Sequence, residues 1–509
     1  MVASSAGALA MNGAPSDGAA GAGGTAGGGE RGSRHEGVDQ GVRHARTVSV
    51  LAIAEIAGKV ASFVMFAVAA RLLGPAEFGQ FTWSFNLALL LSAFVIWGFD
   101  FTLIQVASKA RDRLDAMLSD LLAIRALLTP LALLVVWVFP AGPSENTEVS
   151  LVMTLAVLAD SSNQAIRSAA AVIDRQREVA LNLVVQRLAT AAIAVAVLFA
   201  GGGVRGMSWA YLVGTLIGAA LMYWTAHRIG LSPSPRLVTR AGMRELLTSS
   251  TALGISTTLN MLAFRVDTLL LGWLMTSSAV GVYSAAYKLF ETVLFVIWSV
   301  DRVALPTMAA TEGDEPIRRG VHRACSAVWA LYVPYILVMV VQGEAILNLV
   351  YGTPYGTDSL AALQWLVVSL VPYSLQYLLA SGLVARLRNQ MVTWAAFAAL
   401  VLNVVANLIL IPRYGPAGAG MATFIAMAGQ SVVLYLALRR EVGSPGLLRS
   451  GLVPGIAGAV MVLPLLLPWL IPAVVVAGCV YAAVWMLAAT KLDPVAARTV
   501  LGMVGLKRA

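Results

Sequence analysis

Residues 94–100 read Phe94-Val95-Ile96-Trp97-Gly98-Phe99-Asp100, and residues 295–301 read Phe295-Val296-Ile297-Trp298-Ser299-Val300-Asp301. Five of the seven positions are identical at an offset of 201 residues. Upstream, Phe78-Gly79-Gln80-Phe81 aligns with Val280-Gly281-Val282-Tyr283 at an offset of 202, one residue of slip away. Gly203, Gly206 and Ala210 align with Gly415, Gly418 and Ala422 at an offset of 212. Chance similarity among apolar segments competes with any one of these matches. Three of them in chain order read as an internal duplication.

The segments around these matches are membrane spans. The chain has 509 residues, 59% hydrophobic and only 12% charged, with a mean hydropathy of +0.79. A soluble chain of that length carries about a quarter charged residues, so a soluble enzyme is excluded. With breaks at Gly, Pro and charge clusters, fourteen candidate helices start near residues 48, 78, 118, 148, 179, 205, 246, 278, 322, 358, 391, 416, 449 and 471. At roughly 20 residues each, they match a hydrocarbon layer about 30 Å thick. Pro464, Pro468 and Pro472 crowd the turn between the last two, so twelve or thirteen spans stay open as alternatives.

The fold class expected is therefore an all-α integral membrane protein: two six-helix lobes related by a parallel repeat, plus two C-terminal helices. An even number of spans per copy makes both copies enter the membrane from the same side, with a pseudo-axis along the membrane normal. Residues 1–46 are a Gly/Ala-rich N-terminus with a basic end (Arg31, Arg34, Arg43 and Arg46), expected to be disordered. Their order does not match a cleaved signal peptide, so the first apolar helix is expected to remain as an anchor. The N-lobe then spans 47–227, a basic linker 228–245, the C-lobe 246–440, and the last helix pair with a short tail 441–509.

Charge tests this layout independently. With the N-terminus on the cytoplasmic side, 25 of the 35 Lys and Arg fall in inner segments, three in outer loops (Arg71, Arg205 and Arg413) and seven within spans. That is the positive-inside pattern. The net charge of +9 is thereby accounted for by topology, and no nucleic-acid partner is needed. Both termini are expected in the cytoplasm. Cys325 and Cys479 have no metal or redox spacing and read as small hydrophobes.

Thirteen ionisable residues lie within the spans: Glu55, Lys59, Asp100, Arg125, Asp160, Arg167, Arg187, Arg265, Asp267, Lys288, Glu291, Asp301 and Arg302. Each costs at least about 2.5 kcal/mol at mid-membrane, so each requires a partner or water. Asp100, Asp301 and Arg302 sit near cytoplasmic helix ends, where snorkelling is the expectation. Asp160, Asn163, Gln164 and Arg167 share one helical face at i, i+3, i+4 and i+7, either as an interhelical hydrogen-bond network or as the wall of a solvated cavity. Asn182 and Gln186, with Arg187 beside them, give the fifth span a similar face. Asn403 and Asn407 read as structural glue in the eleventh.

Glu55 and Lys59 at i, i+4, and Lys288 and Glu291 at i, i+3, have the spacing of mutually neutralising pairs. Arg265 and Asp267 are two apart and point in different directions. If the faces converge, Lys59, Arg167, Arg187, Arg265 and Lys288 make a cationic cavity suited to phosphate or carboxylate. Catalysis has little support. There is no nucleotide-binding Gly-Lys-Ser/Thr loop, no metal-spaced His set and no nucleophile elbow.

Two stretches resemble a known family. They are Arg71-Leu72-Leu73-Gly74-Pro75-Ala76-Glu77-Phe78-Gly79, and Arg265-Val266-Asp267-Thr268-Leu269-Leu270-Leu271-Gly272 followed by Val280-Gly281-Val282-Tyr283-Ser284-Ala285-Ala286-Tyr287-Lys288. Over about residues 48–440 the chain is similar to the bacterial polysaccharide repeat-unit flippases of the multidrug/oligosaccharidyl-lipid/polysaccharide exporter superfamily. That resemblance implies a cytoplasmic-membrane protein that moves an undecaprenyl-pyrophosphate-linked oligosaccharide from inner to outer leaflet by alternating access, for exopolysaccharide, capsule or O-antigen assembly. It implies no cofactor beyond a proton or sodium gradient, with Asp160, Asp267 and Glu291 as candidate coupling carboxylates. Its partners would be the lipid-linked substrate, membrane lipids, a polysaccharide polymerase and glycosyltransferases.

Three other functions compete. A multidrug antiporter of the same superfamily would favour acidic and aromatic groups over the seven bases and six acids found here. A peptidoglycan-precursor flippase shares the pyrophosphate lipid. A membrane glycosyltransferase or polymerase would need larger catalytic loops.

Overall fold

The computed structural model describes the backbone of residues 30–138 and 146–492, with side chains from residue 58 onward. The Gly/Ala-rich N-terminus before residue 30, the side chain of Glu55 and the C-terminal tail lie outside the described residues.

Helix is the only regular structure among the described residues. The sixteen α-helices, in order, are α1 (Glu30–Ile96), α2 (Phe99–Ala107), α3 (Leu114–Val138), α4 (Thr147–Val172), α5 (Gln176–Phe199), α6 (Gly203–Arg228), α7 (Arg240–Leu274) and α8 (Ser277–Thr292); then α9 (Phe295–Ala309), α10 (Asp314–Val341), α11 (Gly343–Tyr351), α12 (Thr353–Val368), α13 (Leu370–Ala385), α14 (Asn389–Val442), α15 (Leu447–Leu465) and α16 (Leu470–Leu492). In a hydrocarbon layer the backbone must satisfy its own hydrogen bonds, which is why long apolar runs become helices.

Two of these helices are each a pair of legs. In α1 the break is Gly74 (φ 69°) followed by Pro75; in α14 it is Gly415 (φ 56°) followed by Pro416. Only glycine takes that conformation without strain, and the proline that follows has no N–H to continue a helical ladder. Among the described residues, eleven helical stretches are long and apolar enough to cross a membrane. Counting both legs of α1 and α14 and adding α7 is consistent with the fourteen spans expected.

The duplication is visible in the backbone. Gly203 and Gly415, matched in sequence, both adopt positive φ, 57° and 56°. Each opens a helix whose next matched glycine packs on the helix before it. A Cβ on Gly206 would lie 2.8 Å from Val197, and one on Gly418 would lie 2.3 Å from the Leu410 carbonyl oxygen.

Contacts divide the chain into two units: residues 1–66, 91–138 and 151–257, and residues 67–90, 139–150 and 258–509. In the first, Phe99 and Leu103 of α2, Leu118 and Leu121 of α3, and Ile166 of α4 share one core. The linker after α6 is tied to α3 in this unit. Asp115 accepts from the Ser232 amide (3.0 Å), Ser119 from the Ser234 amide (2.9 Å) and Asp120 from the Thr239 amide (2.8 Å). In the second unit, Met461 of α15 and Tyr481 and Trp485 of α16 pack with Ala330 of α10, and the Tyr481 hydroxyl donates to the Ala330 carbonyl at 2.9 Å. Large apolar side chains such as Trp394, Leu463, Ile471 and Leu487 are exposed, a surface suited to lipid.

Candidate substrate and coupling sites

Polar residues of the first unit bond across α4, α5 and α6. Gln186 of α5 donates to Asp160 of α4 at 2.8 Å, and Asn163 donates to Gln186 at 3.4 Å. Arg167 stands 4.0 Å from the same Asp160 oxygen, with its side chain 22% exposed. Asn182 donates to Thr225 of α6 at 2.6 Å. Gly218 of α6 lets the Gln186 side chain lie against its backbone, since a Cβ there would come within 2.3 Å of Gln186. Arg187 packs over Gly58, the residue before Lys59. Lys59, Arg167 and Arg187 are all partly exposed, although Nη1 of Arg167 is buried.

Deeper in this unit the structure corrects one expectation. Asp100 does not snorkel: it is buried against Arg125, with Oδ1 2.9 Å from Nη2 and side chains 3% and 1% exposed. Arg125 also donates to the Ser161 carbonyl. The cause is the turn at Trp97 and Gly98 (φ 41° and 71°), which ends α1 and starts α2 on a new course. A full pair of charges is thereby withdrawn, and this is a structural bond rather than a ligand site.

In the second unit Arg265 of α7 donates from Nη1 to Asn86 of α1 (3.0 Å) and from Nη2 to Glu291 of α8 (3.3 Å). Lys288 donates to the other Glu291 oxygen at 2.9 Å. Two cations thus share one carboxylate, and the buried Nε of Arg265 has no hydrogen-bond partner. Asn86 is oriented by its own helix, since its Nδ2 donates to the Thr82 carbonyl at 2.7 Å.

Asp267, two residues on, faces elsewhere, as its spacing requires. It is 3% exposed and accepts from Tyr283 of α8 (3.2 Å), Asn407 of α14 (2.7 Å) and Thr423 of α14 (2.5 Å). Among the described residues no cation pairs with it. Asn407 also donates to Asn403 Oδ1 at 3.1 Å, while its own Oδ1 is buried without a partner. Asn407, read with Asn403 as structural glue, thus ties α14 to α7 through the Asp267 carboxylate. A carboxylate is a group that suits a hard cation or a proton.

Residues 67–90 of α1 pack on the second half of the chain. Arg71 donates to the carbonyls of Leu349 and Val350, capping α11. Tyr355 donates to the Ala70 carbonyl at 3.0 Å. At the next level the two matched glycines cross. A Cβ on Gly79 would lie 1.8 Å from the Ser277 carbonyl oxygen, and one on Gly281 would lie 2.0 Å from the Pro75 carbonyl oxygen. The contact is reciprocal, because Pro75 and Ser277 are themselves 202 residues apart. Segment 343–358 is helix broken only at Gly352 (φ 96°).

Sequence reasoning missed Asn86, Tyr283 and Thr423. Asn86 alone carried a signal, as a solitary amide in an apolar span.

The described residues thus form an all-helical, internally repeated membrane protein with charged groups inside its spans. Solved transporter structures share this fold. "Lipid II flippase MurJ, inward closed conformation" aligns with a TM-score of 0.70 at 14% identity, over 86% of this chain and 98% of that one. An inward-facing multidrug resistance MATE family transporter of the MOP superfamily aligns at 0.62 and 15%, over 76% and 94%. At such identities the likeness is one of fold.

The chain belongs to the family described as "Polysaccharide biosynthesis protein", which matches residues 44–312, more than half its length. "Probable flippase AglR" from Haloferax volcanii is 26% identical over 182 residues, 35% of this chain and 38% of that protein. "Probable low-salt glycan biosynthesis flippase Agl15" from the same organism is 25% identical over 178 residues, 33% and 36%. The chain thus matches well under half the length of these two relatives.

Proposed function

We propose that this protein flips lipid-linked oligosaccharide repeat units, carried on undecaprenyl pyrophosphate, from the inner to the outer leaflet of the bacterial cytoplasmic membrane by alternating access. The product serves assembly of a cell-surface polysaccharide, and both termini lie in the cytoplasm, where the basic segments place them. The observation that carries this reading is the charge at Arg265 and Lys288. Arg265 and Lys288 converge on Glu291, and the buried Nε of Arg265 is a guanidinium donor left without a partner inside the membrane-spanning region. A pyrophosphate offers the oxygens such a pair takes up, bidentate on Arg and as a point contact on Lys. Arg167 and Arg187, with Lys59, supply a second basic cluster in the first unit.

Transport is driven by a proton or sodium gradient, and Asp267 is the coupling carboxylate. Of the three candidates, Glu291 is held by two cations and Asp160 lies beside Arg167. Among the described residues Asp267 has neutral partners only, Tyr283, Asn407 and Thr423, together with the orphaned Asn407 oxygen. The lipid tail has a fitting apolar groove in the second unit, lined by Trp329, Leu375, Leu447, Leu452 and Ile456.

The test is the lipid-linked intermediate that accumulates in a deletion strain. An oligosaccharide on a polyprenyl pyrophosphate, retained in the inner leaflet, is the expected result. Normal surface polysaccharide combined with drug sensitivity would favour a multidrug antiporter. The fold match to a lipid II flippase favours a second reading, export of a peptidoglycan precursor, and arrest of growth on depletion would select it.

A further inference from the structure

The contacts that tie residues 67–90 of α1 to the second half run as a ladder. Arg71 on α11 and Tyr355 on the Ala70 carbonyl form one end, the Gly79 and Gly281 crossing comes next, then Trp83, whose indole donates to the Leu269 carbonyl at 3.4 Å, and Asn86 forms the other end. The last rung differs from the rest. Its acceptor, Asn86 Oδ1, is held by Arg265, the same guanidinium that faces Glu291 and Lys288.

We propose that Asn86 is a positioning residue that makes the packing of residues 67–90 sensitive to an anion at Arg265, so that arrival of a pyrophosphate releases this segment. The proposal rests on the reading of Arg265 and Lys288 as an anion site. Arg265 presents two forks, Nη1 with Nη2 and Nε with Nη2. Nη1 is spent on Asn86, Nη2 on Glu291, and Nε is buried and unpaired. A phosphate that takes the Nε and Nη2 fork must displace Glu291, and the guanidinium turns toward the new charge. An amide is a weaker acceptor than a phosphate oxygen, so as the guanidinium turns, the Nη1 bond to Asn86 is given up together with the Nη2 bond to Glu291.

The experiment places spin labels at Leu72→Cys and Leu349→Cys, both exposed sites flanking the first rung, in the full-length protein in lipid nanodiscs. Cys479→Ser removes the exposed native thiol, and Cys325 is buried. Pulsed electron resonance measures the distance between labels as inorganic pyrophosphate is added, and equilibrium dialysis measures its binding. Pyrophosphate should raise the population of a longer distance. Asn86→Ala should raise it about tenfold without pyrophosphate, the loss expected for one hydrogen bond to a charged group. Arg265→Gln should bind pyrophosphate weakly and give no response.

Pyrophosphate that binds the parent protein without changing the distance would overturn the proposal and leave the anion site standing. Failure to bind at all would overturn both. An Asn86→Ala protein with the parent's distances and the parent's response would overturn the role of Asn86 alone, and a normal melting profile would show that it is folded.

Discussion

Asp100 and Arg125 form an ion pair at 2.9 Å whose two side chains are almost wholly withdrawn from solvent, across two helices of the first unit. Asp100 Oδ2 and Arg125 Nε remain without partners. Removing one member leaves an uncompensated charge inside the protein, which costs about 3–5 kcal/mol. Arg125→Ala and Asp100→Ala should each lower the melting temperature in nanodiscs. The double substitution Asp100→Leu with Arg125→Leu should recover most of the loss, because a buried pair replaced by apolar groups is close to neutral. Equal loss in single and double variants would show that the pair has a further role.

Arg265→Ala and Lys288→Ala should reduce surface polysaccharide at unchanged protein levels. A hydrogen bond between charged groups is worth ~1.5–3 kcal/mol, so each loss should lower flipping by about tenfold or more. Lys is a poor substitute at position 265, where a fork is required, so Arg265→Lys should recover little. Quantitation of polysaccharide in a complemented deletion strain checks both, and unchanged levels in both Ala variants would rule out the anion site.

Asp267→Asn keeps the shape of its pocket and removes its charge. Flipping should persist down a substrate gradient but lose its dependence on the ion gradient, whereas Glu291→Gln should mainly disturb the positions of Arg265 and Lys288. Transport into vesicles with imposed sodium or proton gradients separates the two. Retained gradient dependence in Asp267→Asn would move the coupling elsewhere.

A methyl group at either crossing glycine meets backbone rather than a flexible side chain. Gly281→Ala should weaken the packing of residues 67–90 by about 1–3 kcal/mol, the usual cost of overpacking. Gly455→Ala is the control, since no atom lies within 4 Å of a Cβ there. Thiol crosslinking between cysteines at positions 72 and 349 should fall in the first variant and not in the second.

Asp115 and Asp120 hold the linker through its backbone amides, each bond to a carboxylate being worth ~1.5–3 kcal/mol. Replacing both with Ala should speed tryptic cleavage at the exposed Arg236 by at least about tenfold, because cleavage follows the population of the opened segment. An unchanged cleavage rate would show that Ser119 and the core alone hold it.

The sequence made the helices, the duplication and the membrane setting readable because each is periodic or compositional. The i, i+3 spacing of Lys288 and Glu291 placed those two together. It could not show that Arg265 joins them, nor that Asn86 arrives from a helix 179 residues earlier. Asp267 illustrates the same limit. Its partners Asn407 and Thr423 are 140 and 156 residues away, on the two legs of one kinked helix, so no local pattern links them. Asp100 was misjudged because position along a helix was taken to set its exposure. The two positive φ angles at Trp97 and Gly98 changed the helix path, and backbone handedness at a non-glycine residue has little sequence signal.

The crossing of Gly79 with Gly281 joins equivalent points of two copies of one segment. In a homodimer such a contact would sit on the symmetry axis, and any substitution would strike both sides at once. In a single chain the two sides inherit separately. The chain now carries Pro75 opposite Gly281 and Ser277 opposite Gly79, so one flank of the contact has a rigid ring and the other a free amide. A symmetric joint has become one whose two faces can be tuned independently, which gives a chain with duplicated halves a route to unequal movement.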